Sequence, residues 1–276
     1  MLDKPQVQPR VKNVFTLYDF FGYFIPGVAL LTALLLSRFA IDIKLLLAGK
    51  NDSSRFVAML TQFKENWIVW ITIGIVVTYL IGHVVSALSS MVLEKLVVGK
   101  ILKYPTFNML ETTVSRAKNR KLKNYIMYNI LLGYRGSMGN HTVEIFRTIF
   151  NAVFGYHGRN ILDYDRFNVF PICFSYVKEK CPVTYERVMN YVSSYGFARN
   201  SAMAFIIAAL LVICRFPVNY PYVLISSILD IVIALLLFRQ YLKFLRRVND
   251  EVFFQFMIIN WHRLGQYMDD KSFDNL

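Results

Sequence analysis

The chain has 276 residues, of which 55% are hydrophobic and 16% aromatic, and its mean hydropathy is +0.40. Such a composition argues against an ordinary soluble domain of this size, whose surface has to be covered with polar groups; a bilayer accommodates the excess apolar surface. Lys and Arg number 31 against 18 Asp and Glu, a surplus of +13 that suits nucleic acid, anionic lipid or an acidic partner, and in a membrane protein suits topology first.

Segment 1–19 carries Lys4, Arg10 and Lys12, but Asp19 stands just before the first apolar run and no small-x-small cleavage site follows, so that run reads as a retained anchor. A hydrocarbon core of about 30 Å needs roughly 20 apolar residues in a helix. Four windows without Asp, Glu, Lys or Arg, or nearly so, meet or approach that length. Phe20 to Ser37 contains Pro26-Gly27, and Trp67 to Leu93 is long enough to span with tilt. Ser201 to Cys214 is short, with Arg215 placed to snorkel at one end and Arg199-Asn200 at the opposite headgroup level. Past the break Pro217 to Pro221, the run Tyr222 to Phe238 is apolar except for Asp230, so the last two windows (201–238) read as a helical hairpin. Trp67, Tyr220 and Tyr222 fall at the expected interfaces.

The expected organisation is all-α, with four transmembrane helices and a helical cytoplasmic body. It comprises a cytoplasmic segment 1–19, helices 1 and 2 within 20–94 around an external loop 38–66, a cytoplasmic region 95–200, the hairpin 201–238 and a cytoplasmic tail 239–276. Lys and Arg fall three before the first span, five in 38–66, sixteen in 95–200, one in the hairpin turn and six after the fourth span, which places both termini on the cytoplasmic side. Within 95–200, Thr112 to Leu132, Thr142 to Phe154 and Asp165 to Lys178 read as helices, and Gly133-Tyr-Arg-Gly136 and Gly155-Tyr-His-Gly158 as the turns that end two of them. Pro182 opens a helix that runs into the third span without a break, and the fourth continues through Leu245, Val248, Val252 and Phe256 at steps of three or four.

Asp230 lies near the bilayer centre, where a carboxylate is costly, so it should face protein or water; a conducting path, a contact between protomers, and a bond to Ser226, Ser227 or His83 all fit. His83, beside Gly82 and Ser86, suits a hydrogen bond between helices. Arg116, Lys118, Arg120, Lys121 and Lys123 form a basic stretch that suits RNA or nucleotide phosphates, or anionic headgroups near the second span. Arg135 and His141 have a spacing that resembles the Arg-x(4–6)-His pattern of HEPN-type ribonucleases, which implies action on an RNA phosphodiester. Cys173, Cys181 and Cys214 form no Cys-x-x-Cys and read as buried thiols, and no Walker A, Gly-x-Ser-x-Gly or His-Glu-x-x-His motif occurs, so neither a metal nor another cofactor is expected.

Tyr18-Asp-Phe-Phe-Gly-Tyr-Phe-Ile-Pro-Gly27 and Tyr195-Gly-Phe-Ala-Arg-Asn200 resemble segments of a group of bacterial multi-pass membrane proteins, some encoded beside anti-phage defence genes. The resemblance implies the bacterial inner membrane and a part in defence. The leading expectation is a non-enzymatic membrane effector, homo-oligomeric and channel-like, controlled by its cytoplasmic region. A membrane-tethered scaffold that recruits a soluble partner, itself nucleic-acid-binding or not, and a membrane-anchored ribonuclease stand as alternatives.

Overall fold

In a computed structural model of the chain, residues 20–35, 62, 66–102, 140–154, 166–215 and 221–262 are described, and the secondary structure among them is entirely helical. Helix α1 opens as a π-helical turn, Phe20–Phe24, and continues as an α-helix over 25–35. Helix α2 is α-helical over Trp67–Ser89 and passes directly into a π-helical segment, Ser90–Leu102. There follow α3 (Asn140–Phe154), α4 (Arg166–Lys180), α5 (Pro182–Arg215) and α6 (Pro221–Ile259).

Among the described residues three helices are long and apolar enough to cross a membrane: Trp67–Leu102, Pro182–Cys214 and Leu224–Ile259. The apolar stretch Gly22–Leu35 of α1 is shorter, and the remainder of the expected first span lies outside the described residues. Helix α5 has 34 residues and α6 has 39, or about 51 and 58 Å at 1.5 Å per residue. Each therefore exceeds a hydrocarbon core of about 30 Å, and the expected unbroken continuation of both is present. Proline sits at the first position of each, where its missing N–H removes no intrahelical bond.

α5 and α6 pair antiparallel. Arg187 meets Glu251, Tyr191 stacks on Phe244 and Tyr195 packs at a tilt against Tyr241, one sequence rising as the other falls. Toward the end of α5 and the start of α6, where the two backbones approach closely, several buried residues are small: Ala202, Ala208 and Ala209 on α5, and Ser227 and Ala234 on α6. Close backbone approach of this kind is how helices gain dispersion energy where lipid removes the hydrophobic drive.

Three clusters are stacked along this pair. At the far end, Val143, Phe146 and Ile149 of α3, Val169, Cys173 and Val177 of α4, Val188 of α5, and Val248, Val252, Phe253 and Phe256 of α6 form an aromatic-rich core. The three- and four-residue steps put each set on one helical face. Tyr176 donates to Asn260 Oδ1 at 2.8 Å and so closes the end of α6 against α4. The middle cluster joins Val98 and Leu102 of α2 to Ala198, Tyr241 and Leu242. The third holds Leu30, Val85, Leu93, Ala202 and Met203. Here the outer faces of α2 and α6 are apolar and exposed, as at Ile68, Ile75 and Leu80, and at Ile225, Leu229 and Leu236. Even the polar Thr72 on that face turns its hydroxyl inward to the Ile68 carbonyl at 2.9 Å, as an apolar solvent demands.

α1 crosses α2 through glycine. A Cβ on Gly27 would be driven into the Thr78 carbonyl oxygen, and one on Gly82 into the Tyr23 carbonyl oxygen, whereas a Cβ on Gly74 meets nothing within 4 Å. Gly27→Ala and Gly82→Ala should each lower the thermal midpoint of the protein in detergent, at a cost of about 1–3 kcal/mol from forced separation of the backbones. Gly74→Ala should be neutral or stabilising, because an unobstructed glycine in a helix interior costs roughly 0.5–1 kcal/mol relative to alanine. Equal effects of all three would show that the crossing is not tight.

Candidate functional site

Where α1, α2 and α5 meet, just past the apolar part of α2, the structure buries a connected polar cluster. Asn200 of α5 is fully buried, as is Ser89 of α2. The Asn200 carboxamide donates through Nδ2 to the Gly22 carbonyl of α1 at 2.7 Å. Its Oδ1 accepts from Ser89 Oγ at 2.5 Å and from Arg199 Nε at 3.3 Å. Arg199 Nη1 in turn ion-pairs with Glu94 Oε2, which also accepts from Ser90 Oγ at 3.2 Å. The Arg199 side chain is 10% exposed and that of Glu94 29%, so the pair leads from the buried amide outward.

Local geometry explains the fit. π-helical turns, often found at functional sites, occur beside both contacts: Gly22 lies in the first, and Ser90 and Glu94 lie in the second, which begins directly after Ser89. The turn around Gly22 leaves its carbonyl directed at the neighbouring helix. Beside it the Tyr23 ring stacks on His83, centroids 4.2 Å apart and 16° from parallel, and Tyr79 meets the same imidazole edge-on at 4.5 Å.

The expected site residues are thus distributed unevenly. Arg199 and Asn200 come together at the head of the third apolar window, but buried against protein. His83 joins α1 to α2 by ring stacking, and among the described residues it makes no hydrogen bond to another helix and no contact with Asp230. Asp230 is half-buried on α6 with Leu229 and Ile231 exposed beside it, and it has no hydrogen bond or ion pair among the described residues. The expectation that Asp230 faces protein or water thus finds no polar protein partner among the described residues. Arg215 ends α5, with its side chain outside the described residues, as are Arg116, Lys118, Arg120, Lys121, Lys123 and Arg135. His141 is exposed in the first turn of α3. Among the described residues no three His, Cys, Asp or Glu gather as a metal site.

No family model matches this chain, and neither a curated protein nor a solved structure is significantly similar to it.

Sequence reasoning missed Glu94 and Ser89. The available signal was that Glu94 is the first charge after the uncharged run from Trp67, four residues beyond Ser90, which left a carboxylate in need of a cation at that depth.

The three thiols also separate. Cys173 is buried, and burial pushes its thiol well above the ordinary range. Cys181 precedes Pro182 at the head of α5, where hydrogen bonds with Thr184 (Sγ to Oγ1, 3.2 Å) hold its thiol below the usual range. Cys214 is exposed.

Two predictions follow from these contacts. Glu94→Ala leaves the Arg199 guanidinium inside without its partner and should cost about 3–5 kcal/mol. Arg199→Met should cost less, because Glu94 reaches water, and the double variant should recover part of the loss; additive losses in thermal unfolding would show that the pair is not coupled. In a Cys214→Ser background, alkylation at neutral pH should modify Cys181 and spare Cys173. Thr184→Val should move the pH midpoint of that alkylation upward, since the bonds that favour the thiolate are lost.

Proposed function

We propose that the chain is a bacterial inner-membrane protein with four transmembrane helices and both termini in the cytoplasm. In this reading α3, α4 and the outer halves of α5 and α6 form a cytoplasmic body that senses a signal or partner and changes the state of an oligomeric, channel-like transmembrane assembly. The observation that carries the reading is Asp230, a carboxylate without a hydrogen-bond or ion-pair partner among the described residues of its own chain, flanked by exposed apolar residues in the middle of a helix long and apolar enough to span. A carboxylate at the centre of a bilayer costs roughly 2.5–3.5 kcal/mol on insertion scales. A second copy or a water-filled path between copies removes that cost, and a lone protomer in lipid does not.

Continuity of α5 and α6 supports control from the body. Both helices run from the apolar cluster into the aromatic core as single elements, so displacement of that core moves the spans to which Asp230 belongs. The resemblance of Tyr18–Gly27 and Tyr195–Asn200 to membrane proteins encoded near defence genes makes infection the proposed signal. The Gly22–Asn200 hydrogen bond brings those two motifs into contact.

Crosslinking in native membranes should yield oligomers of the wild-type chain. Asp230→Leu should weaken them more than Asp230→Asn, which keeps hydrogen bonding. Induction under activating conditions should depolarise the membrane, and Asp230→Asn should abolish this while Arg135→Ala does not. A wild-type chain that stays monomeric in membranes and leaves the potential unchanged would overturn the proposal.

A further inference from the structure

At the level where α2 and α6 leave their apolar faces, four exposed cations have no acidic partner among the described residues. Lys95 and Lys100 lie on α2 and Arg239 and Lys243 on α6, and among the described residues none of them forms an ion pair. Other cations nearby are engaged: Arg199 by Glu94, Arg246 by Asp250 and Arg187 by Glu251, while Arg247 lies over the Tyr191 ring. At this depth the two helices contribute to one buried cluster, Val98 and Leu102 from α2 and Tyr241 and Leu242 from α6, with Ala198 of α5 among them.

Helix geometry pairs the charges vertically. The segment Ser90–Leu102 is π-helical, so positions five apart, such as Lys95 and Lys100, stand about one turn above one another. Arg239 and Lys243 are four apart on an α-helix and share a face in the same way. Each pair stands next to the exposed apolar surface of its own helix, at Met91 and Leu96 on α2 and at Leu235 and Leu236 on α6. Free cations directly above an apolar face match a ligand with an anionic head and acyl chains.

We propose that Lys95, Lys100, Arg239 and Lys243 form a binding site for the phosphate headgroups of anionic phospholipid, with the acyl chains on the adjoining faces of α2 and α6. The site rests on the reading that these helices span the bilayer. Its phosphate chemistry is shared with free phosphate and with nucleic acid, but neither of those uses the apolar faces below the charges.

The full-length protein, extracted from membranes in mild detergent, is exchanged with mixed phosphatidylglycerol and phosphatidylcholine, and retained lipid is counted by native mass spectrometry. Wild-type protein should retain phosphatidylglycerol in preference. Lys95→Gln/Lys100→Gln and Arg239→Gln/Lys243→Gln should each reduce that preference, and the quadruple variant should lose about tenfold or more of it, as expected for four surface charges against an anionic headgroup. A matched variant with glutamine at Lys118, Arg120, Lys121 and Lys123 should keep it, and an unchanged thermal midpoint shows that each variant is folded.

Unchanged preference in the folded quadruple variant overturns the site. So does loss of the preference only in the 118–123 variant, or displacement of the bound lipid by sodium phosphate but not by sodium chloride of equal ionic strength, which would mark a free-anion site. Recovery of the wild-type chain in the soluble fraction overturns the membrane reading itself; membrane-embedded protein without lipid preference overturns this inference alone.

Discussion

The buried Asn200 carboxamide is the constraint on which the bundle depends. A carboxamide removed from water loses several kilocalories per mole unless its donors and acceptor are met. Here they are met by three different helices: the Gly22 carbonyl of α1, Ser89 of α2, and Arg199 of its own helix, which Glu94 of α2 then neutralises. A slip of one residue in α5 turns its side chains by about 100° and shifts them by about 1.5 Å, which breaks the bonds to α1 and α2 together, and the same slip in α2 breaks the Ser89–Asn200 and Glu94–Arg199 contacts together. Apolar faces alone tolerate such slips, because one aliphatic side chain replaces another at little cost. The polar cluster therefore sets register, and the glycine crossing of α1 on α2 is possible only in that register.

Position gives the cluster a second consequence. It lies between the apolar cluster around Val85 and Ala202 and the cluster around Tyr241, where exposed apolar faces give way to exposed cations. Toward one end, contacts rest on small residues and dispersion; toward the other, they rest on an aromatic core with ring pairs such as Phe146–Phe253 and Tyr176–Phe256. Because α5 and α6 belong to both halves, the two regions cannot move independently without bending a helix or breaking the Arg199–Glu94 pair. The π-helical segment after Ser89 is the place where α2 departs from regular geometry, and π turns are less favourable than the α-helical ladder. Its partner contacts there, Ser90–Glu94–Arg199, offset that preference.

Much of this architecture was legible in one sequence. Long uncharged runs located α2 and α6, and the three- and four-residue spacing of Leu245, Val248, Val252 and Phe256 carried α6 past its apolar part, because helical periodicity survives any change of solvent on the outer face. Pro182 marked the start of α5 for a local steric reason. The polar cluster was not legible because its partners are far apart in the chain: Ser89 and Asn200 are separated by 111 positions, Glu94 and Arg199 by 105, and Gly22 and Asn200 by 178. Nothing local distinguishes an Arg that snorkels to headgroups from one that turns inward to a carboxylate. His83 shows the same limit, since its neighbours Gly82 and Ser86 suggested a hydrogen bond while the contact that forms depends on Tyr23 of another helix.

The two carboxylates in the apolar half divide their roles accordingly. Glu94 has its cation inside the chain. Asp230 lies about 12 Å, or eight residues, along α6 from Phe238 at the level of the cluster, and Arg199 is committed to Glu94 and Asn200, so among the described residues no cation is paired with Asp230. In the proposed oligomer this restricts symmetry. A two-fold interface centred on the Asp230 face would set two like carboxylates against each other, which is unfavourable for both charges. A cyclic, head-to-tail arrangement sets Asp230 of each copy against a different surface of the next, or toward water on a common axis. A carboxylate with no ion-pair partner among the described residues of its own protomer is thereby a reason to propose a closed ring of several.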